Sequence, residues 1–264
     1  MLKDLSMLSK KTRKVDVCLS PLMIDLFDLK EKTVVVIDVF RATTAMCVFF
    51  KHQGDKVIPV TSIDKAEFLK KKLDNNKYTF AAERNGKIVE SFDFGNSPVS
   101  YDGKNFKNKS LVITTTNGTK AIEKSKKAGH GVLIASFLNV GSVVRSLAKD
   151  FNNDVLVLCS GWKDRFCIED TLLAGMIVNK LLDHNFKYES DSAAMSYNIY
   201  ENNKSNLISA VEKSAYMNRL NLVNDVRYCM QIDTMSLVPS WKNLKFEDKF
   251  DFYGFLAVWY EIFR

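Results

Sequence analysis

Short apolar runs alternate along the chain with segments whose apolar residues recur every three or four positions, and this alternation predicts an α/β fold. Thr33–Phe40 (TVVVIDVF) is apolar at nearly consecutive positions, as in a strand covered on both faces of a parallel sheet. Ala42–His52 has helical periodicity, Lys56–Val60 predicts a further strand, and Ile63–Leu73 a helix opened by Ser62 as N-cap. Tyr78–Ala82 predicts a short strand ahead of a polar loop over Glu83–Asp93. Ser110–Thr115, Gly131–Ser136 and Asp154–Cys159 repeat the strand pattern. Helices are expected behind them over Lys120–Ala128, from Asn139 or Ser142 to Lys149, and over Ile168–Leu182. The rhythm predicts a largely parallel sheet flanked by helices. No Pro- or Gly-rich linker interrupts it, so residues 1–264 read as one compact unit, with a candidate internal division near residues 130–150 into two interlocked α/β lobes.

The last third changes character. Asp191–Tyr200 and Leu207–Leu220 predict helices, and Asp225–Val238 one or two strands. The aromatic end, Lys245–Phe263, is expected to pack on the body or at the interface of a homodimer.

Composition narrows the classes. With 46% hydrophobic and 26% charged residues, a chain of 264 residues buries a real core and is neither disordered nor fibrous. Asp38 and Arg41 break the longest apolar stretch well short of a membrane span of ~20 residues. The first residues lack the pattern of a secretory signal, so the expected compartment is the cytoplasm. Five widely spaced cysteines without a CxxC pair argue against a disulfide framework or a structural zinc site. The net charge of +7 suggests anionic partners. No basic stripe interleaved with aromatics marks a nucleic-acid surface. Of 38 basic residues only eight are arginine, and arginine grips carboxylate, sulfonate or phosphate through a planar fork that lysine lacks.

Polar residues gather where predicted strands end, the usual place for a ligand in such sheets. Asp38 closes the first strand; it either binds something or caps the next helix. Thr115-Thr116-Asn117-Gly118 offers hydroxyls and free N–H groups at a helix N-terminus, which suits an anion or, equally, a capped Asn-Gly turn. Glu83–Gly86 and Phe92–Pro98 supply a loop rich in polar side chains. Cys159 and Arg165 have the spacing of cysteine-dependent phosphatases, although Leu158, Lys163, Asp164 and Phe166 depart from that motif. Glu169 and Asp170 are adjacent acids in one helical turn, so only one of them is expected to face a site. Paired with Asp38, that acid suits Mg²⁺.

Seven segments in order, Ile37–Thr44 (IDVFRATT), Glu83–Gly86 (ERNG), Phe92–Pro98 (FDFGNSP), Thr114–Thr119 (TTTNGT), Ala135–Asn139 (ASFLN), Cys159–Asp170 and Asp225–Asp233 (DVRYCMQID), resemble the 2-phosphosulfolactate phosphatase family. The resemblance implies a Mg²⁺-dependent acid phosphatase that removes phosphate from a small phosphorylated sulfo-carboxylic acid in coenzyme M synthesis. Taken with the chemistry of the residues in these segments, the expected catalytic residues are Asp38, Arg41 and Arg165, and the expected metal ligands Asp38 and Asp170, with Glu169 as a third candidate. The expected substrate contacts are Arg84, Asn96, Thr115, Thr116, Asn117, Gly118, Ser136, Asn139 and Arg227. Metal-activated water or Asp38 itself would attack phosphorus. A cysteine phosphatase using Cys159 and Arg165, or a non-catalytic anion-binding protein, are the competing readings.

Overall fold

A computed structural model describes residues 12–241 and 256–259, apart from 85, 150–152, 213 and 215–221. The predicted rhythm is present. In chain order the elements are β1 (Arg13–Cys18), β2 (Lys32–Ile37), α1 (Ala42–Lys51), β3 (Lys56–Pro59), α2 (Ile63–Lys72), β4 (Tyr78–Arg84), β5 (Lys87–Ile88) and β6 (Ser110–Thr114). They continue with α3 (Gly118–Ser125), β7 (Val132–Ala135), α4 (Val140–Lys149), β8 (Asp154–Cys159), α5 (Ile168–Leu182), β9 (Phe186–Lys187) and α6 (Asp191–Asn203). The last are α7 (Leu207–Glu212), α8 (Val223–Cys229), β10 (Val238–Trp241) and β11 (Leu256–Trp259).

The strand order is β5-β4-β6-β3-β11-β10-β7-β2-β8-β1-β9. It contains two parallel blocks, β4-β6-β3 and β7-β2-β8-β1-β9, joined by the antiparallel pair β10 and β11. β2 shows why its sequence is apolar throughout. Val35 and Ile37 face α4 and α5, whereas Val34 and Val36 face α1 and α3. In its block the parallel direction aligns Ile37 with Ala135 and with Cys159, so β2, β7 and β8 end on one edge.

Where the elements differ from expectation, the cause is local. β1 escaped notice because Arg13, Lys14 and Asp16 punctuate it. Arg13 is nonetheless buried, its guanidinium donating to the Leu147 carbonyl (2.7 Å) and stacking 3.9 Å from the Phe186 ring centre. Asp225–Val238 is not strand: Val223–Cys229 is helical, and only Val238 opens a strand. Val226 and Cys229, three apart, both bury, so the helical period prevails over the strand period. α4 is not opened by Asn139 or Ser142 but by Ser136, through a 3₁₀ turn over Phe137–Asn139. α3 begins at Gly118, two residues earlier than predicted. α7 ends at Glu212, and the remainder of the predicted helix lies largely outside the described residues, as does most of the aromatic end; within that end Leu256–Trp259 forms β11. Among the described residues no helix is long and apolar enough to cross a membrane.

Candidate active site

β2 emerges from the core at Asp38. The main chain there is fixed by Thr43, whose hydroxyl accepts the Asp38 N–H (2.9 Å) and donates to the Asp38 carbonyl (3.0 Å). The Asp38 carboxylate accepts the Ala42 N–H (3.2 Å), so it does cap α1, yet it also borders a cleft of about 340 Å³. From the first turn of α5, the Asp170 carboxylate accepts the Val39 N–H and the Gly161 N–H, both at 2.9 Å. It thereby ties the end of β2 to the end of β8. Glu169 lines the same cleft, contrary to the expectation that only one of the adjacent acids would. The first turn of a helix that ends at a cavity offers both positions to it, despite the ~100° between them.

Asp38, Glu169 and Asp170 are all buried. Burial, followed by the charge of Asp170, holds the Asp38 carboxyl well above the ordinary carboxylate range. Burial followed by the charge of Glu169 does the same to Asp170, against the pull of its N–H donors.

The facing wall is the turn after β6. The Thr115 hydroxyl accepts the Thr119 N–H (3.1 Å), and the Thr119 hydroxyl donates to the Thr115 carbonyl (2.9 Å), which closes the turn. Thr115, Thr116 and Asn117 line the cleft. Gly118 abuts the Asp38 carboxylate. Asn117 Oδ1 accepts the Lys163 N–H (3.0 Å), anchoring the loop after β8 across the cleft.

A third wall comes from Arg41, Glu83 and Asn96. The buried Arg41 guanidinium forks between the carboxylates of Glu83 and Asp225. Asp225 also accepts the Ser97 hydroxyl (2.6 Å). The Phe92–Pro98 loop is held in place by Phe94 stacking on Tyr101, 4.8 Å between ring centres, and by the Tyr101 hydroxyl donating to the Gly95 carbonyl (2.8 Å). Three buried side-chain oxygens among the described residues have no hydrogen-bond partner: Asn96 Oδ1, Thr114 Oγ1 and Ser160 Oγ. Asn96 lines the cleft, and the other two adjoin lining residues in sequence. Orphans of this kind are rare in folded proteins and mark places where water or ligand completes the set.

Asp38, Arg41, Asn96, Thr115, Thr116, Asn117, Glu169 and Asp170 therefore share one cleft, with Gly118 packed behind it. Other expected site residues stand apart. Ser136 and Asn139 are fully buried in the capping box of α4, with the Asn139 amide donating to the Ile134 (3.2 Å) and Leu237 (3.1 Å) carbonyls. Arg84 is exposed, and its guanidinium donates to the Glu83 carbonyl (2.9 Å). Arg165 is exposed, its backbone paired with Trp162, and Arg227 is exposed on α8; none of the three arginines lines the cleft. Sequence reasoning passed over Glu83, Asp225 and Lys163 as individual site residues, although each falls inside a segment it singled out. The lining also runs against the net charge of the chain: Asp38, Glu83, Glu169 and Asp170 outnumber Arg41 and Lys163, so the cleft is acidic in a chain whose +7 charge suggested anionic partners. Cys159 is buried, and burial together with the Asp170 charge pushes its thiol well up. Cys167 lines the cleft, and its thiol is raised for the same kind of reason.

Comparison with known proteins shows the family. The family model for 2-phosphosulpholactate phosphatase matches residues 18–244. A protein of Caldanaerobacter subterraneus subsp. tengcongensis, named probable 2-phosphosulfolactate phosphatase, is 35% identical over 219 residues, 82% of this chain and 90% of its own. One of Clostridium botulinum with the same name is 35% identical over 229 residues, 86% of this chain and 95% of its own. One of Thermotoga maritima, again so named, is 34% identical over 212 residues, 80% of this chain and 90% of its own. The matched span contains every wall of the cleft, and the chain belongs to the 2-phosphosulpholactate phosphatase family.

Proposed function

We propose that this phosphoric monoester hydrolase cleaves the phosphate ester of a small polyanionic acid of the 2-phosphosulfolactate type, giving 3-sulfolactate and phosphate, with Mg²⁺ as cofactor. One observation carries the reading: in a family that acts on an anionic phosphate ester, the cleft here is lined by four carboxylates, three of them buried and two held above their ordinary pKa, so that like charges would meet. A bound divalent cation removes that contradiction.

The donor set fits a hard ion. Mg²⁺ commonly takes one or two protein carboxylates and completes its octahedron with water and phosphate oxygens. Asp38, Asp170 and Glu169 are the candidates, one or two of them acting at a time, since among the described residues no three His, Cys, Asp or Glu side chains are grouped so as to hold a metal ion. When bound, the ion would neutralise phosphate oxygens and the charge that develops on them. The chain's own groups do the rest. The Thr116 and Asn117 side chains, at the N-terminal end of α3, supply polar contacts for the phosphate. Glu83 and Asp225 hold the Arg41 fork in one orientation at the cleft wall. The Asn96 amide oxygen, without a partner among the described residues, is placed to accept from water in the cleft. Hydrolysis breaks the P–O ester bond: the oxygen of water ends on phosphorus, directly or after capture of the phosphoryl group by Asp38, and a proton of that water ends on the ester oxygen, which leaves as the hydroxyl of 3-sulfolactate.

The test is phosphate release from a panel of small phosphorylated carboxylic acids that includes 2-phosphosulfolactate. Turnover of 2-phosphosulfolactate with Mg²⁺, abolished by EDTA and insensitive to mild thiol alkylation, is expected. Turnover that survives EDTA and is lost on alkylation would transfer the chemistry to a cysteine.

A further inference from the structure

The loop after β8 has an unusual backbone. Gly161, Lys163 and Asp164 all have left-handed backbone, with φ of 59°, 48° and 64°. Glycine adopts that region without strain, aspartate tolerates it, and lysine does so at a cost. Strained non-glycine backbone tends to persist where the side chain has a task. Asp164 has one, since its carboxylate pairs with the Lys120 ammonium at 2.5 Å while its carbonyl accepts the Ser20 hydroxyl at 2.8 Å. The Lys163 N–H is tied to Asn117 Oδ1, and Trp162 and Arg165 pair through their backbones, so the loop is built rather than loose.

Lys163 lines the cleft. The other lining cation, Arg41, is engaged by two carboxylates. Lys163 has no ion pair with a carboxylate among the described residues; its ammonium lies 4.8 Å from the centre of the Trp162 ring. A phosphate drawn to the acidic floor by a cation leaves the ester's second acid group needing a positive partner at the rim. We propose that Lys163 is the specificity-determining residue that receives the non-reacting carboxylate or sulfonate of the substrate, and so selects phosphate esters bearing a second acid group. This inference rests on the phosphatase reading given above.

Its test compares kcat/KM for 2-phosphosulfolactate, for 2-phospholactate, which lacks only the sulfonate, and for isopropyl phosphate, which lacks both acids. Lys163→Met should lower the ratio of 2-phosphosulfolactate to isopropyl phosphate at least tenfold, chiefly through KM, and Lys163→Arg should keep it within threefold. A loss shared by 2-phospholactate assigns the carboxylate to Lys163; a loss that spares 2-phospholactate assigns the sulfonate. Lys163→Gly should lower the same ratio while raising the melting temperature, because glycine relieves the left-handed backbone. Equal losses on all three esters, or a ratio within twofold of wild type, would overturn the assignment. A wild-type enzyme inert to 2-phosphosulfolactate but active on 2-phospholactate would sink the substrate reading, and Lys163 is then judged by the ratio of 2-phospholactate to isopropyl phosphate.

Discussion

A Cβ on Gly118 would stand 2.7 Å from Oδ2 of Asp38 and 2.7 Å from Cβ of Ala42. The turn after β6 and the acid after β2 thus meet without room for one more carbon, and neither neighbour can retreat easily. Ala42 begins α1, and the Ala42 N–H holds the carboxylate. Gly118→Ala should lower turnover about a hundredfold and destabilise the fold by about 1–3 kcal/mol through overpacking. Steady-state kinetics with a urea unfolding curve checks both. A variant of wild-type activity would show that the Asp38 position has slack.

Asp38→Asn separates chemistry from stability. The amide keeps the shape but removes a charge that burial and Asp170 already oppose. Turnover should fall by orders of magnitude, whereas the melting temperature of the metal-free protein should hold or rise. Wild-type turnover in the folded variant would end the catalytic role assigned to this acid.

Arg41 is buried between Glu83 and Asp225, so its removal strands two carboxylates. Arg41→Met should cost about 3–5 kcal/mol, the usual consequence of breaking a buried pair from one side. Glu83→Gln should cost less, because the amide oxygen still accepts one bond. A shift of the urea midpoint with unchanged slope is the readout. Equal costs for the two variants would contradict the fork geometry.

The strands and helices that build the cleft were legible because the chain writes them plainly. β2 and β8 are consecutive apolar runs, and α5 spans the predicted Ile168–Leu182. α8 was not, since Val226 and Cys229 suit either period until packing decides. Nor was the fate of individual arginines. The same side chain is buried against carbonyls at Arg13, clamped by acids at Arg41 and exposed at Arg165 and Arg227, and only the fold assigns these environments. Asn139 is the sharpest case, because Ala135–Asn139 helped carry the resemblance. Its side chain closes a capping box instead of reaching a ligand. Asn139→Ala should therefore cost about 1–3 kcal/mol in unfolding experiments, from buried groups left unpaired, while leaving KM within twofold. A tenfold rise in KM would return it to the site.

The two coupled acids predict how stability responds to pH. Carboxyls of Asp38 and Asp170 ionise near 3.8 in ordinary surroundings, but in the fold they are held up toward about 7. Between those values the unfolded chain has released protons that the native state still carries, so raising the pH favours unfolding. Metal-free protein should therefore be most stable, with respect to this pair, below about pH 4, and lose that contribution progressively up to about pH 7. On the proposed reading, Mg²⁺ would bind the ionised pair in competition with its protons. Saturating Mg²⁺ should accordingly raise the melting temperature by about 5 °C or more at pH 8 and far less at pH 5. Asp170→Asn should flatten both responses, since it removes one carboxylate and the repulsion felt by the other. Scans at the two pH values, with Mg²⁺ or EDTA, measure the difference directly. An equal shift at both pH values would mean that the ion binds elsewhere on the protein.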